Sequence, residues 1–580
     1  MSAAPADGPA AAGLSAEDVE KLLGDPYDAA NPHGFAAAVA RDERDAFPEE
    51  LCRTLCEAGF HLNYLPREWG GTFVSFDHSL TLVRAAARRD VNVMPGTMFS
   101  IIAATCLQLH GTPEQRAKVA AILRDGGAVA FALTEAAHGS ELLANEVRWA
   151  DGLLHGEKWI VGNGMRAAAL YAVVRTGERG PGAMSAVLLD LADAPAGRLV
   201  RVPGPRTGGM RGIDLARVRF DALPVPPQAR VGAEGEGLEV AIKAQQAVRL
   251  MSMAGSLGIA DSAVRLTLDF VAARRFGRAG LGAVPHVRRE TAVASAALLA
   301  ADAVALAAAR GVHGLPEAFS VWGPVAKHVV AEATDELVRR CGGVLATRAV
   351  LREDAPGGGL FQKLQRDSSV VRVIDASPLA NVRSYAGQLP TLLHRTAAAG
   401  AREQGGGEMG TGGLAGLLRF DAPLPPYRPG RLDLVVRGAD PVLGALPGLL
   451  AAAPPSAGRT DPLNRLATAV AGLPDEAEAA RRPGAGPNAL VDLAERFAWL
   501  HGAAACVGLW AANRDRALYG TEPGSTGWLE AAVGYLLARA DGVDPRRCGD
   551  AVTPALDVVA RLRDQGLLFT ALPVRLAATR

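Results

Sequence analysis

The spacing of apolar and polar residues divides the chain into a helical part, a β part and a second helical part. Ser15, with Asp18 three residues later, predicts a capped helix start, and helical spacing then continues to about residue 125. From about 126 to 235 the apolar residues fall in short or alternating runs between Gly, Asp and Pro, a pattern typical of strands. The predicted strands are 128–133, 146–149, 157–161, 170–175, 186–189 and 218–220.

Long helical runs follow the β part. They cover 238–270, 287–310 and 317–340, and Gly342-Gly343 is predicted to end the last one. Three long helices that pack together indicate a bundle. The sequence therefore predicts a mainly α protein with a central β domain.

The rest of the chain predicts a linker and one more helical module. The linker is rich in Gly, Ala and Pro, and helical spacing returns at 489–513 and 528–539. The expected organisation is a disordered leader (1–14), an N-terminal helical domain (15–125), a β domain (126–235), a helical bundle (236–395), the linker (396–430) and a helical extension (431–580).

Composition excludes several classes of function. Lys+Arg and Asp+Glu number 61 each and aromatic residues make up 5%, so neither a nucleic-acid surface nor an anionic-membrane surface is expected. The six cysteines are too few for a disulfide scaffold, and no His or Cys spacing indicates a metal site. The N-terminus lacks the pattern of a signal peptide, and no uninterrupted apolar run approaches a membrane span. We therefore expect a cytoplasmic protein without a membrane span.

Candidate chemistry clusters at the two ends of the β part and near residue 375. At the first end, Thr134, Glu135 and Ser140 offer hydroxyl and carboxylate groups, and Trp159 offers a flat wall. At the second, residues 208–212 form a glycine-rich turn. Taken one at a time, the residues of the first set are more typical of a capped turn and a core Trp. The second set is equally typical of a glycine turn before an edge strand. The stretch 405–410 matches a dinucleotide-binding fingerprint, but no strand precedes it, and we assign the match to chance.

Asp375 is the third candidate, because it follows four aliphatic residues between 370 and 374. A carboxylate among apolar neighbours can have a raised pKa and act as a general base. Alternatively, Asp375 caps a helix beside Ser377.

Taken together, eight motifs in order resemble the acyl-CoA dehydrogenase family over about residues 30–395. They are Leu65-Pro-Arg-Glu-Trp-Gly-Gly71, His110-Gly-Thr-Pro-Glu-Gln115, Phe131-Ala-Leu-Thr-Glu-Ala-Ala-His-Gly-Ser140, Gly156-Glu-Lys-Trp-Ile160, Arg249 with Gly255 and Gly258, Phe276-Gly277, Cys341-Gly342-Gly343 and Arg366-Asp367.

The resemblance implies an acyl-CoA dehydrogenase-like fold: an N-terminal helical domain, a small β-barrel or sandwich, and a C-terminal four-helix bundle, here with a helical extension. It also implies FAD, held between the β domain and the bundle. By position, the FAD-binding residues would be Phe131, Leu133, Thr134, Ser140, Trp159, Val161 and Ser377, while Arg274, Phe276, Gly342 and Gly343 would meet the FAD of a partner subunit.

The family chemistry is α,β-dehydrogenation of an acyl thioester, in which a carboxylate removes the α-proton. Asp375 stands where the family usually has Glu, so the resemblance makes Asp375 and Arg249 the catalytic pair. Val161 stands where Thr or Ser usually lies near the reactive flavin nitrogen, so one hydroxyl is missing.

These departures leave three hypotheses. The first is a dehydrogenase acting on acyl-CoA or on an acyl carrier protein, with an electron-transfer flavoprotein as partner and bacterial secondary metabolism as one setting. The second is an oxygen-using enzyme of the same fold, which is an oxidase, monooxygenase or oxidative decarboxylase. The third is a non-catalytic assembly partner. The resemblance also implies a homodimer. In relatives with an extra C-terminal module, this module covers the surface through which shorter members form tetramers.

Overall fold

Seven helices form the N-terminal part of the computed structural model, which describes residues 13–354, 356–402, 411–452 and 461–577. They are α1 (Ala16–Leu23), α2 (Phe35–Glu43), α3 (Glu49–Glu57), α4 (Phe76–Ala87), α5 (Val93–Met98), α6 (Ile101–His110) and α7 (Pro113–Arg124). The predicted cap of α1 is confirmed, since the amide of Asp18 donates to the Ser15 hydroxyl (3.1 Å) and the amide of Ser15 donates to the Asp18 carboxylate (3.0 Å). Residues 1–12 of the predicted leader and the 405–410 motif lie outside the described residues.

Eight strands then form one sheet. They are β1 (Val129–Ala132), β2 (Arg148–Ala150), β3 (Leu153–Gly162), β4 (Ala169–Arg175), β5 (Met184–Asp190), β6 (Leu199–Pro203), β7 (Leu215–Pro224) and β8 (Arg230–Val231). Their order is β6-β7-β3-β1-β4-β5-β8, with β2 pairing to β3 and β4. The sequence pattern misses β6 and β8, because β6 is a half-exposed edge strand and β8 has only two residues.

The two faces of this sheet belong to different cores. Phe131, Leu133 and Tyr171 pack in the core that the sheet shares with the helices. Ala130, Ala132 and other side chains from the opposite face form a separate core inside the β domain. Because successive side chains of a strand point to opposite faces, the face on which a β residue lies decides whether it can reach the helices.

Four helices form the bundle: α8 (Gly237–Ala272), α9 (Pro285–Gly314), α10 (Phe319–Leu345) and α11 (Leu360–Val371). A hairpin of β9 (Arg275–Phe276) and β10 (Ala279–Gly280) follows α8. The prediction that Gly342-Gly343 ends α10 is wrong. The helix continues to Leu345 and ends where Ala346 adopts a φ of 52°, because the glycines lie inside the helix, with Gly342 close to α11.

Eight helices follow the bundle. They are α12 (Pro378–Ala386), α13 (Leu389–Arg402), α14 (Thr411–Leu418), α15 (Pro441–Ala451), α16 (Pro462–Arg481), α17 (Ala489–Ala512), α18 (Gly527–Ala540) and α19 (Thr553–Asp564). The segment predicted as a linker thus contains the end of α13 and the whole of α14. Leu414 and Leu418 of α14 are buried, so tertiary packing stabilises a helix that its Gly-rich sequence does not favour.

A buried ion cluster joins the extension to the bundle. The guanidinium of Arg84 in α4 pairs with Asp261 of α8 and Asp302 of α9, and it donates to the carbonyl of Phe569 (2.6 Å). The hydroxyl of Tyr519 donates to Asp302 (2.8 Å). Since these groups are fully buried and partnered, the extension is an integral part of the fold.

Two stretches of the described chain, 93–110 and 285–314, are long and apolar enough to cross a bilayer. Most of the first stretch and all of the second are buried inside the protein.

Candidate active site

A short turn between α11 and α12 carries Asp375. Asp375 and Ala376 have φ angles of 58° and 106°, a region that non-glycine residues seldom adopt unless the surrounding structure holds them there. Ser377 is the N-cap of α12, because its hydroxyl accepts a hydrogen bond from the amide of Ala380 (3.2 Å). The alternative hypothesis that Asp375 caps this helix is therefore wrong, and its carboxylate is available for another role.

Asp375 lies on the wall of a small apolar cavity with a volume of about 20 Å³. The cavity lies where α5 and α6 approach the middle of α8. Apart from Asp375 and Ser252, its lining is apolar and consists of Met94, Pro95, Met98, Phe99, Ile101, Ile102, Val248, Met251 and Ile374. A carboxylate on such a wall faces a hydrocarbon ligand rather than a polar one.

Opposing effects act on the pKa of Asp375. Desolvation by its surroundings raises the pKa above its usual value, and the positive charges of Lys327 and Arg249 and a hydrogen bond from Ser252 oppose this rise. Burial lowers the pKa of Arg249 to about 10, and Asp375 counteracts that shift. Both predicted catalytic residues, Asp375 and Arg249, thus act on each other electrostatically at one site.

The predicted FAD-binding residues of β1 lie on the face of the sheet that meets the helices. Phe131 and Leu133 are buried there. The carbonyl of Thr134 accepts a hydrogen bond from the amide of Trp159 (2.9 Å), which places these two half-buried residues side by side. Ser140 is exposed in the following turn. The structure therefore brings an apolar wall, an indole and two accessible hydroxyls to this end of the sheet.

Glu135, another candidate at this end, has a structural role. Its carboxylate accepts hydrogen bonds from the amides of Glu146 (2.6 Å) and Val147 (3.0 Å) and from the Lys158 ammonium (2.7 Å). Lys158 also donates to the carbonyl of Leu133 (2.9 Å), and burial lowers its pKa to about 8. The pair ties the end of β1 to β3, and three hydrogen bonds commit the Glu135 carboxylate to the fold.

Val161 is not on this face. It packs in the separate core inside the β domain, because β3 has an irregularity between Lys158 and Val161, where Ile160 adopts a φ of 47°. An extra residue in a strand reverses the alternation beyond it. Gly162 instead pairs directly with Phe131, and a Cβ on Gly162 would lie 2.4 Å from the Phe99 ring. The structure thus corrects the expected placement of Val161, since Gly162 and not Val161 lies on the same face of the sheet as Phe131.

The four residues predicted to meet a partner subunit lie far from Asp375. From Arg249 to the end of α8 the helical rise gives roughly 35 Å, and Arg274 and the hairpin residue Phe276 follow that end. Gly342 and Gly343 lie in the last turns of α10. Within one chain these residues therefore do not belong to the cavity. Arg274, Phe276 (68% exposed) and Gly343 are accessible to another molecule, whereas Gly342 is buried.

The glycine-rich turn 208–212 and the Arg366-Asp367 motif contact each other. The amide of Met210 donates to the Asp367 carboxylate (2.6 Å), and the Arg366 guanidinium donates to the carbonyl of Gly208 (3.1 Å). A Cβ on Gly209 would lie 2.0 Å from the carbonyl oxygen of Arg366. The turn therefore docks the β domain on α11 and sets the distance between sheet and bundle.

We expect Gly209→Ala to destabilise the protein by about 1–3 kcal/mol or more, because the added methyl group must displace backbone atoms. Gly208→Ala is the matched control, since a Cβ there meets no atom within 4 Å. Urea unfolding followed by circular dichroism measures both effects. Equal unfolding midpoints for the two variants would contradict the docking role of Gly209.

Comparison with known proteins agrees with this arrangement. Residues 31–126 match the N-terminal domain of acyl-CoA dehydrogenases, and residues 235–375 match the C-terminal domain. A probable acyl-CoA dehydrogenase of Mycobacterium tuberculosis is 27% identical over 356 residues, which cover 60% of this chain and 87% of the relative. The chain belongs to the acyl-CoA dehydrogenase family.

Other members extend this comparison. The mitochondrial isobutyryl-CoA dehydrogenase of Bos taurus is 25% identical over 350 residues, which cover 58% of this chain and 80% of that protein. The crystal structure of an acyl-CoA dehydrogenase complexed with FAD from Bacillus anthracis has 16% identity and a TM-score of 0.67, and 94% of each chain is covered. The C-terminal extension is thus part of a fold already known in the acyl-CoA dehydrogenase family, whose members are flavin-dependent oxidoreductases acting on CH–CH groups.

Sequence reasoning missed several residues of this acyl-CoA dehydrogenase site. The cavity walls from α5 and α6, Ser252 and Gly162 carry no motif that marks them. Lys327 is the exception, because a lysine is unusual in this chain, which has only six lysines among 61 basic residues. Three of the six, Lys158, Lys327 and Lys363, are buried.

Proposed function

We propose that this protein catalyses FAD-dependent α,β-dehydrogenation of a short-chain acyl thioester, with Asp375 as the base. The observation that carries the proposal is the placement of a carboxylate, in a constrained turn, on the wall of an apolar cavity. Asp375 and the catalytic glutamate of the family share the function of accepting the α-proton. The buried Arg249 beside Asp375 favours the ionised form that accepts a proton.

The chain's own residues fit FAD at the end of the sheet. Phe131 and Leu133 provide an apolar wall for a planar ring, and Thr134 and Ser140 provide accessible hydroxyls. The turn before Ser140 is open, since a Cβ on Gly139 meets no atom within 4 Å. When bound, FAD would accept the hydride that leaves the Cβ of the substrate. Asp375 takes the α-proton in the same reaction, and a carbon–carbon double bond forms.

The cavity supports a short acyl group as the substrate. The cavity has a volume of only about 20 Å³ in this structure, far below the range for ligand pockets, so an acyl group must push its walls apart to enter. On the side of α5 and α6 those walls are buried methionine and isoleucine side chains beside the partly buried Phe99, so a short acyl group needs the smaller displacement. The bovine relative is an isobutyryl-CoA dehydrogenase by name, which agrees with a short acyl group. We extend the proposal to either carrier, coenzyme A or an acyl carrier protein, and to an electron-transfer flavoprotein as the acceptor.

The test is anaerobic mixing of the purified holoenzyme with a panel of acyl thioesters. We expect the flavin absorbance to bleach and the product to be two hydrogens lighter than the substrate. A protein that binds no FAD after reconstitution would overturn the proposal in favour of a non-catalytic role.

An oxygen-using reaction is the second candidate. Gly162, which lies on the same face of the sheet as Phe131, carries no hydroxyl. The hydroxyl that the family usually has near the reactive flavin nitrogen is therefore missing here too, which favours an oxygen-using reaction. Oxygen incorporated into the product under air, with no bleaching in its absence, would favour it.

We also propose a homodimer. Phe276 exposes an apolar ring at the tip of a hairpin, and Arg274 and Arg348 flank the ring of Phe270 with guanidinium-to-centroid distances of 4.8 and 5.6 Å. The two guanidinium groups over the half-buried Phe270 ring suit the anionic diphosphate of a partner subunit's FAD. Light scattering should give twice the chain mass, and a monomer with full FAD occupancy would contradict this.

A further inference from the structure

Lys327 is a buried lysine close to the candidate base. It lies in α10, fully excluded from solvent, and its ammonium donates a hydrogen bond to the carbonyl of Val371 (2.7 Å). Val371 is the last residue of α11 and begins the turn that leads to Asp375. A buried ammonium is costly unless a partner of opposite charge compensates it. The position of Lys327 therefore requires a counter-charge nearby.

Asp375 supplies that counter-charge. The chief charged groups acting on Lys327 are Asp375 from the turn, Arg249 from α8 and Glu332 from its own helix. Glu332 is already paired with Arg372. Arg249, which is 5% exposed, has no hydrogen-bond partner for its Nε among the described residues. Two buried cations, Lys327 of α10 and Arg249 of α8, thus act electrostatically on the carboxylate of Asp375.

We propose that Lys327 is a positioning residue that holds Asp375 ionised and fixes the turn that carries it. This inference rests on the proposed function, in which Asp375 is the base. The hydrogen bond from Lys327 to the carbonyl of Val371 anchors the start of the turn. The positive charge of Lys327 acts on the carboxylate of Asp375 within the same turn. Lys327 is not among the residues that line the cavity, so its proposed role is exerted through Asp375.

Lys327 and desolvation act on the pKa of Asp375 in opposite directions. Desolvation raises the pKa of Asp375, and Lys327 opposes that rise while it carries its proton. Burial lowers the pKa of Lys327 itself to about 8, so it is charged at neutral pH. Without that charge the pKa of Asp375 rises further, and a larger share of the enzyme carries a protonated, inactive base.

The experiment compares Lys327→Met, Lys327→Gln and Lys327→Arg in the holoenzyme. Lys327→Met replaces a buried cation by an apolar chain of similar length. Because removal of one charged partner can destabilise a fold, circular dichroism confirms that each variant is folded before its rate is measured. Lys327→Gln keeps a hydrogen-bond donor for Val371 without the charge, and Lys327→Arg keeps the charge. The rate constant of anaerobic flavin reduction is measured against pH. The carboxylic-acid band of Asp375, identified by its loss in Asp375→Asn, is followed by infrared difference spectroscopy.

We expect Lys327→Met and Lys327→Gln to raise the midpoint of both titrations by about 1 pH unit or more. Below the midpoint the rate should fall about tenfold, and it should recover at high pH. Lys327→Arg should restore the midpoint towards that of the wild type. Lys363→Gln is the control, because Lys363 is another buried lysine but pairs with Asp90 and Asp367. It should lower stability without moving the midpoint.

Unchanged midpoints in both neutral variants would overturn the inference, as would an equal shift in Lys363→Gln. Failure of the proposed function has a different signature. If Asp375→Asn reduces flavin at the wild-type rate, Asp375 is not the base, whatever the lysine variants do.

Discussion

Asp375→Asn should slow flavin reduction by the acyl thioester about 10²–10⁴-fold, the usual contribution of a general base. The amide has the same shape as the carboxylate but cannot accept the α-proton. Anaerobic stopped-flow absorbance measures the rate, and the FAD content of the purified variant shows whether the cofactor site is intact. FAD should remain bound, since Phe131, Leu133, Thr134 and Ser140, the contacts proposed for it, lie at the end of the sheet and outside the turn of Asp375.

Asp375→Glu is the informative companion variant. Its side chain is longer by one methylene, about 1.5 Å, and misplacement of about 1 Å can cost 10²-fold in rate. The left-handed turn at Asp375 and Ala376 constrains the backbone, so the longer side chain must carry its carboxylate to a different position. We therefore expect a large loss for Asp375→Glu. Wild-type rates for Asp375→Asn would contradict the base assignment and favour the oxygen-using alternative.

The second large effect concerns the length of the acyl chain. We expect butanoyl-CoA and isobutanoyl-CoA to be favoured over octanoyl-CoA by at least about 100-fold in kcat/KM, because each methylene that a pocket must exclude costs about 1–3 kcal/mol. The walls from α5 and α6 are buried and packed in the main core, so they cannot retreat without cost.

Met98→Ala tests which wall sets this limit. Removing the side chain enlarges the cavity and should raise kcat/KM for octanoyl-CoA about tenfold or more, while butanoyl-CoA loses contacts. Met253→Ala is the matched control, since Met253 is an equally buried methionine of α8 that does not line the cavity. Octanoyl-CoA turned over by the wild type as fast as butanoyl-CoA would contradict the size limit.

The sequence alone predicted the elements whose pattern lies within one short segment of the chain. The cap at Ser15 and Asp18 and the three long bundle helices depend on side-chain spacing within one segment, and the structure confirms these elements. The resemblance to the acyl-CoA dehydrogenase family likewise rests on short motifs in order, and its fold is confirmed. Asp375 was found as a candidate because its apolar neighbours are adjacent in the chain.

The tertiary structure alone decided the rest, because those features depend on residues distant in sequence. An irregularity in β3 turns Val161 into the β-domain core and leaves Gly162 opposite Phe131. Packing carries α10 past its two glycines to Leu345 and makes a helix of residues 411–418. The meeting of Lys327 with the turn of Asp375, and the cavity closed by α5, α6 and α8, join side chains far apart along the chain. No local pattern encodes them, since only the folded backbone sets the distances on which electrostatic and packing energies depend.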